Sequence, residues 1–317
     1  MEFVYRELQI EPTNRCNLHC SICSHTLLDP PKARDLTLAE FKSILERLKN
    51  NNIERVFLQG LGEPFLNREL NAMILYASQR NIFVYTTTNG NILNEEIIQG
   101  MISCGLNELR VSIDAPGVKL YEQIKCGGKL ERVIDAVKLI NKKKKECGVS
   151  RPTLRLNAVA MKDTISQLPQ LIHMAASLGF VEVSLIPLVV HGRGWATDEH
   201  NISVLAFDEL KGLISQAKKI AGELGIELVS GVSTQRHSEA MAMEQPVAPK
   251  CYYSMYVQSN GDFSPCCNIP LRFGNLFDEE IADILNGEKM SKLRAFIQQA
   301  KPSCHNCVNF AYNLMHC

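Results

Sequence analysis

Three cysteines near the head of the chain, Cys16, Cys20 and Cys23, have the spacing C-x₃-C-x₂-C. Three thiolates can bind three irons of a cubane cluster and leave the fourth iron open. An open position is what a catalytic metal centre needs. His19 or His25 could instead complete a four-ligand zinc site. The chain has 12 cysteines in 317 residues, six of them between Cys251 and Cys317. Clustered cysteines in a reducing compartment point to metal rather than to disulfides. A cytoplasmic location is expected because Met1 to Arg6 shows no apolar signal core. No membrane is expected as a partner, since no stretch reaches the roughly 18 apolar residues of a span. Nor is nucleic acid, because 34 basic side chains balance 34 acidic ones.

Alternating strand and helix patterns position these residues. Strands are predicted at 8–10, 55–59, 82–87, 108–113, 153–160, 181–186 and 226–229, with helices at 37–49, 66–79, 94–104, 130–145, 165–178 and 207–224. Thr37 with Glu40 three residues on is a capping-box signal. Lys142 to Lys145 close a helix, where cations suit its dipole. Six β/α units imply a parallel sheet covered by helices, either a partial barrel or an open doubly wound sheet, with chemistry at the C-terminal strand ends. The cysteine triad follows the first strand and so lies at that face. Beyond residue 232 the pattern changes: a hairpin is predicted at 252–266 around Asn260-Gly261. The expected division is a domain over 1–232 and a smaller one over 233–317.

The triad after a first strand resembles the signature of the radical S-adenosylmethionine superfamily, and matching motifs run along residues 8–190. The fold class implied is α/β, a partial (β/α)6 TIM barrel. The resemblance implies a 4Fe–4S cluster on Cys16, Cys20 and Cys23, whose free iron chelates S-adenosylmethionine. Reductive cleavage then gives a 5′-deoxyadenosyl radical, the electron coming from a donor such as flavodoxin or ferredoxin. Gly60-Leu61-Gly62-Glu63-Pro64 resembles the Gly-Gly-Glu-Pro motif that receives the cofactor ammonium, which implies that role for Gly62, Glu63 and Pro64. Thr87-Thr88-Asn89-Gly90 resembles the family's T-N-G turn, in which Asn89 is either a tight-turn residue or a substrate or cofactor contact. Ser112 and Asp114 match a Ser/Asp pair near the cofactor. Lys125 stands where the family usually has an arginine facing the cofactor carboxylate; lysine keeps the charge without the bidentate fork. Asn157 is either a ribose or carboxylate hydrogen-bond partner or an amide satisfied within the core.

At the other end, Cys251-x₉-Gly261-x₄-Cys266 and Cys304-x₂-Cys307 resemble the shortened twitch form of the SPASM extension. That implies an auxiliary 4Fe–4S cluster on Cys251, Cys266, Cys304 and Cys307, with Cys317 as an alternative ligand; a Cys₄ zinc ribbon has similar donors. Cys126 and Cys267 remain as candidate catalytic thiols that return a hydrogen atom to a substrate radical. Cys104 and Cys147 sit at helix ends and read as structural. His25, Gln59, His191 and Trp195 are candidate substrate contacts at the mouth. The expected reaction is dehydrogenation or epimerisation of a small hydroxylated molecule; the alternative is a maturase acting on a peptide substrate.

Overall fold

A computed structural model describes residues 6–27, 32–190, 196–231, 254–265 and 272–300. The chain divides into two compact units: Met1–Arg15, Ala33–Tyr85 and Glu244–Cys317 form the first, Cys16–Lys32 and Thr86–Met243 the second. The expected boundary at 232/233 falls at residues 232–253, outside the described residues.

The first unit holds β1 (Glu7–Ile10), α2 (Leu38–Arg47), β2 (Arg55–Leu58), α3 (Leu70–Ser78) and the start of β3 (Phe83–Thr88). It also holds β8 (Ser254–Val257), β9 (Asp262–Ser264) and β10 (Gly274–Asn275). Its strand order is β10-β9-β8-β1-β2-β3. β1 runs parallel to both β2 and β8, while β8, β9 and β10 are antiparallel neighbours. The C-terminal segment thus lends a strand to the same sheet as the chain's first strand. The turn between β8 and β9 has Gly261 at φ 83°, as Asn260-Gly261 predicts.

The second unit holds α1 (Ser24–Leu27), the end of β3, α4 (Glu95–Ser103), β4 (Glu108–Ser112), α5 (Val118–Ile124), α6 (Leu130–Glu146) and β5 (Thr153–Ala160). There follow α7 (Lys162–Ile165), α8 (Leu168–Ser177), β6 (Glu182–Pro187), α9 (Phe207–Glu223) and β7 (Glu227–Ser230). β4, β5, β6 and β7 pair in that order, all parallel. The fold is the α/β arrangement of parallel strands and covering helices expected of a partial barrel.

Period-two alternation divides the strands into two faces. Leu8, Ile10, Val56 and Leu58 in the first unit are fully buried, as are Leu109, Val111, Leu156 and Val183 in the second. That apolar face suits the apolar stripes of the helices. Many of the alternate positions are polar, although Phe57 stacks on Tyr85 among them. On β4 to β6, Glu108 accepts from Nε of Arg110 and Nε of Arg155, both at 2.7 Å. Arg155 also pairs with Glu182, which accepts from the Ser184 hydroxyl at 2.5 Å. Above this network, toward the strand ends, Ser112 lies opposite Asn157, and Asn157 opposite Ser184. On β4 to β6 this face thus carries a paired polar network with uncharged polar side chains above it.

Thr37 caps α2 through the predicted box with Glu40. The helix expected from residue 66 instead starts at Leu70, after a 3₁₀ turn over Pro64–Leu66. Asn67 turns inward there: its amide donates to Pro12 O at 2.7 Å and Leu36 O at 2.8 Å. The helix expected over 165–178 starts at Leu168 as α8, and α7 is a separate turn before it. Pro169 lies in the first turn of α8, where its missing N–H breaks no helical bond.

Candidate active site

Backbone bonds within the second unit hold the cysteine loop. His19 N–H donates to Cys126 O at 3.0 Å, and Ser21 N–H to Ile124 O at 2.9 Å. Leu18 is buried, and Ile22 packs against Ile124, Met161, Leu188 and Ala196. Asn89 is a tight-turn residue that also reaches the cysteine loop. Its Oδ1 accepts from Asn91 N–H at 2.9 Å in a tight turn, and its Nδ2 donates to Asn17 Oδ1 at 2.9 Å, inside the cysteine loop. Gly90 has φ 75°, and a Cβ there would come within 2.9 Å of Val133, so both backbone and space require glycine.

Cys16, Cys20 and Cys23 are half-buried, and none of them is in a disulfide. Burial pushes the Cys20 thiol up to about 12; Lys125 pulls it back, while Cys23, Asp114 and Cys16 push it further. The three sulfurs thus feel one another. Among the described residues, however, no three His, Cys, Asp or Glu side chains converge tightly enough to hold a metal ion.

Asp114 and Lys125 are brought together. The ammonium lies 3.0 Å from Asp114 Oδ2, and Asp114 Oδ1 accepts from Val159 N–H at 2.8 Å. Burial pulls the lysine down, but Asp114 and Cys20 outweigh it and hold the ammonium above the ordinary lysine range. At the strand ends, Thr87 Oγ1 and Asn157 Oδ1 are buried without a hydrogen-bond partner among the described residues. Buried polar atoms are rarely left so. Three sulfur donors on one loop suit a cubane cluster, whose thiolates bind separate irons and need not converge on a single ion, and the unsatisfied oxygens Thr87 Oγ1 and Asn157 Oδ1 suit a polar cofactor. Cys126 is half-buried, its thiol donating to Gln123 O at 3.3 Å. His25 is half-buried on α1, and Ser112 half-buried at the end of β4.

In the first unit, the loop after β2 is drawn onto the exit of β1. Glu63 N–H donates to Arg15 O at 2.8 Å. A Cβ on Gly62 would overlap Thr13 O and Arg15 O, so glycine is needed there for backbone contact within the chain. Glu63 is buried and its Oε1 caps the 3₁₀ turn by accepting from Phe65 N–H at 3.4 Å; Pro64 follows in its first turn. Gln59 is half-buried, its backbone bonded to Ile10 O and to the Gln9 amide.

His191, Trp195, Cys251, Cys266, Cys267, Cys304, Cys307 and Cys317 lie outside the described residues. Two groups have no role assigned from the sequence. Thr87 opens the Thr87–Gly90 motif, and its unsatisfied hydroxyl singles it out. Glu11 continues the Glu7, Gln9 polar alternation, which is its one signal in the sequence.

Comparison with known proteins agrees with this geometry. The family model for the radical SAM superfamily matches residues 10–192, more than half of the chain, and that for the SPASM iron–sulfur cluster-binding domain matches residues 250–308. A probable GTP 3',8-cyclase of Methanocaldococcus jannaschii is 29% identical over 192 residues, covering 60% of this chain and 62% of that protein. The chain thus spans under two thirds of that relative's length. The AdoMet-dependent heme synthase of Methanosarcina barkeri is 23% identical over 316 residues, 94% of this chain and 86% of that protein. SuiB of Streptococcus suis, crystallised with S-adenosylmethionine, shares the fold at TM-score 0.74 and 19% identity, over 93% of this chain and 68% of SuiB; it has also been crystallised with its precursor peptide SuiA. A cysteine loop, a polar strand face and two matching family models lead to one assignment: the chain belongs to the radical S-adenosylmethionine superfamily, as an enzyme with 4Fe–4S and S-adenosylmethionine cofactors and a C-terminal SPASM domain.

Proposed function

We propose that the chain abstracts a hydrogen atom from a small hydroxylated molecule and dehydrogenates or epimerises it in the cytoplasm, with flavodoxin or ferredoxin as electron donor. The bound cluster supplies the electron that cleaves S-adenosylmethionine. Cys16, Cys20 and Cys23 would hold that cluster; Cys251, Cys266, Cys304 and Cys307 would hold one auxiliary cluster, with Cys317 as alternative ligand. Glu63 would receive the cofactor ammonium, with Gly62 and Pro64 setting its loop. Lys125, paired with Asp114, would face the carboxylate, and Ser112, Asn89 and Asn157 would offer hydrogen bonds. Cys126 or Cys267 would return hydrogen in epimerisation. His25, Gln59, His191 and Trp195 would contact substrate.

The observation that carries the reading is the pair of unsatisfied buried oxygens, Thr87 Oγ1 and Asn157 Oδ1, on strand ends of a polar face. They call for a polar ligand. The small-molecule choice is supported by the haem synthase, which aligns over nearly its whole length. The precursor peptide of SuiB favours the second reading, a peptide maturase.

Anaerobic turnover with S-adenosylmethionine and dithionite tests both. 5′-Deoxyadenosine should form, and in heavy water an epimerised product gains one deuterium while a dehydrogenated one loses two hydrogens. Failure to form 5′-deoxyadenosine with any candidate sugar, cyclitol, nucleoside or peptide overturns the proposal. Iron should count about eight per chain, since two cubane clusters hold four each. Full epimerisation by both Cys126→Ala and Cys267→Ala removes the thiol role.

A further inference from the structure

Glu11 lies one residue beyond β1 and is 2% exposed. Four hydrogen bonds end on its carboxylate. Leu61 N–H at 2.8 Å and the Tyr256 hydroxyl at 3.0 Å donate to Oε2. Ser259 donates twice to Oε1, from its hydroxyl at 2.9 Å and its N–H at 3.3 Å. Ser259 is held from a third side, because its carbonyl accepts from Arg34 Nε at 2.8 Å. All these residues belong to the first unit.

Leu61 sits inside the Gly60–Pro64 loop, whereas Tyr256 and Ser259 belong to β8 and the turn after it. One carboxylate therefore joins the loop to the hairpin. Its fit is tight: a Cβ on Gly60 would overlap Glu11 Cβ, Cγ and Oε2, so a side chain at 60 and the carboxylate of Glu11 exclude each other. Two residues further on, Gly62 and Glu63 N–H meet the backbone of Thr13 and Arg15. The loop is thus stitched to residues 11–15 at each end, through the Glu11 side chain at Leu61 and through backbone at Gly62 and Glu63.

We propose that Glu11 is a positioning residue: it holds the Gly60–Pro64 loop in its cofactor-receiving shape by tying Leu61 to Tyr256 and Ser259 of the C-terminal hairpin. The inference rests on the role proposed for Glu63. The chemistry of the site specifies a carboxylate. Two carboxylate oxygens accept four donors, whereas a carboxamide offers one oxygen and points N–H groups at the other donors. Glu11→Gln keeps the volume but sets donor against donor.

The test uses the full chain, reconstituted anaerobically, with S-adenosylmethionine as the probe. Its Kd is read from the change in the electron paramagnetic resonance signal of the reduced cluster, and iron is counted on the same samples. Glu11→Gln should raise the Kd about tenfold, equal to about 1.4 kcal/mol, with iron content and the cofactor-free signal unchanged. Glu63→Ala is the control. If Glu63→Ala weakens binding and Glu11→Gln leaves the Kd within about twofold, the inference is overturned while the Glu63 reading stands. If neither variant weakens binding, the Glu63 reading fails, and the inference with it. If Glu11→Gln loses iron or does not fold, Tyr256→Phe takes its place: it removes one donor from the oxygen that Leu61 uses. A Kd raised about threefold at full iron content supports the proposal, and an unchanged Kd overturns it.

Discussion

Asp114 and Glu11 are both 2% exposed, yet the two units bury these carboxylates by different means. Asp114 has a formal cation, the Lys125 ammonium at 3.0 Å, and one backbone N–H. Glu11 has four neutral donors and no ion pair among the described residues. A buried charge needs one solution or the other, since desolvation alone costs several kcal/mol. The difference teaches where charge matters and where shape matters. Lys125 stands beside Cys20, so its charge acts on a thiol as well as on Asp114. The donors of Glu11 carry no net charge, and what they transmit is position.

The comparison breaks most readily at Lys125. Lys125→Met strands Asp114 as an uncompensated buried charge and should cost about 3–5 kcal/mol. Tyr256→Phe removes one of four neutral donors from Glu11 and should cost about 1 kcal/mol. Urea unfolding of the metal-free chain under argon measures both. Adding Asp114→Asn to Lys125→Met should recover much of the loss, because the stranded charge is gone. Equal costs for Lys125→Met and Tyr256→Phe would show that the ion pair is not what holds Asp114.

Cys20 sharpens the same contrast. Its folded value lies above the ordinary 9.0, at about 12, with burial the largest cause. The thiol form is therefore favoured by folding. The stability it contributes is whole below pH 9.0 and is lost as pH rises through about 12. At pH 8 the thiolate fraction falls by about three powers of ten, offset in part by the greater nucleophilicity of a more basic thiolate. Alkylation of Cys20 in the metal-free folded chain should be about 30-fold slower than in urea, followed by mass spectrometry of the Cys20 peptide. Equal rates in the two states would remove the buried thiol from the account.

Local rules made much of this architecture legible. Thr37 and Glu40 announced α2, Asn94 capped α4 at its predicted start, and Asn260-Gly261 placed the β8–β9 turn. The strand over 153–160 matches β5 residue for residue. What escaped depends on distant partners. α5 has seven residues and no side-chain cap, so nothing local marks it. Asn67 bends the start of α3 through carbonyls at Pro12 and Leu36, far off in the sequence. The cysteine loop is legible in its spacing, and Glu63, Asp114 and Lys125 in stretches that resemble the family's motifs, but no motif pairs Asp114 with Lys125. The role of Glu11 is not legible: its donors are 50, 245 and 248 positions away, and the polar alternation it shares with Glu7 and Gln9 names no partner.

The smallest predicted effect is the most informative in sign. Glu11 is fully satisfied, so any change there can only lose bonds. Thr87 is the opposite case: its hydroxyl is buried on β3 with no partner among the described residues. Thr87→Val replaces that hydroxyl by a methyl of similar shape in a strand that tolerates β-branching. Removing an unsatisfied buried polar group should stabilise the ligand-free chain by about 1 kcal/mol. The same change should weaken S-adenosylmethionine binding if the hydroxyl is kept for the cofactor. Stability and affinity then move in opposite directions, which a packing role cannot produce. A Thr87→Val chain that is less stable in urea, with unchanged affinity, would mean that this oxygen is not reserved for a ligand.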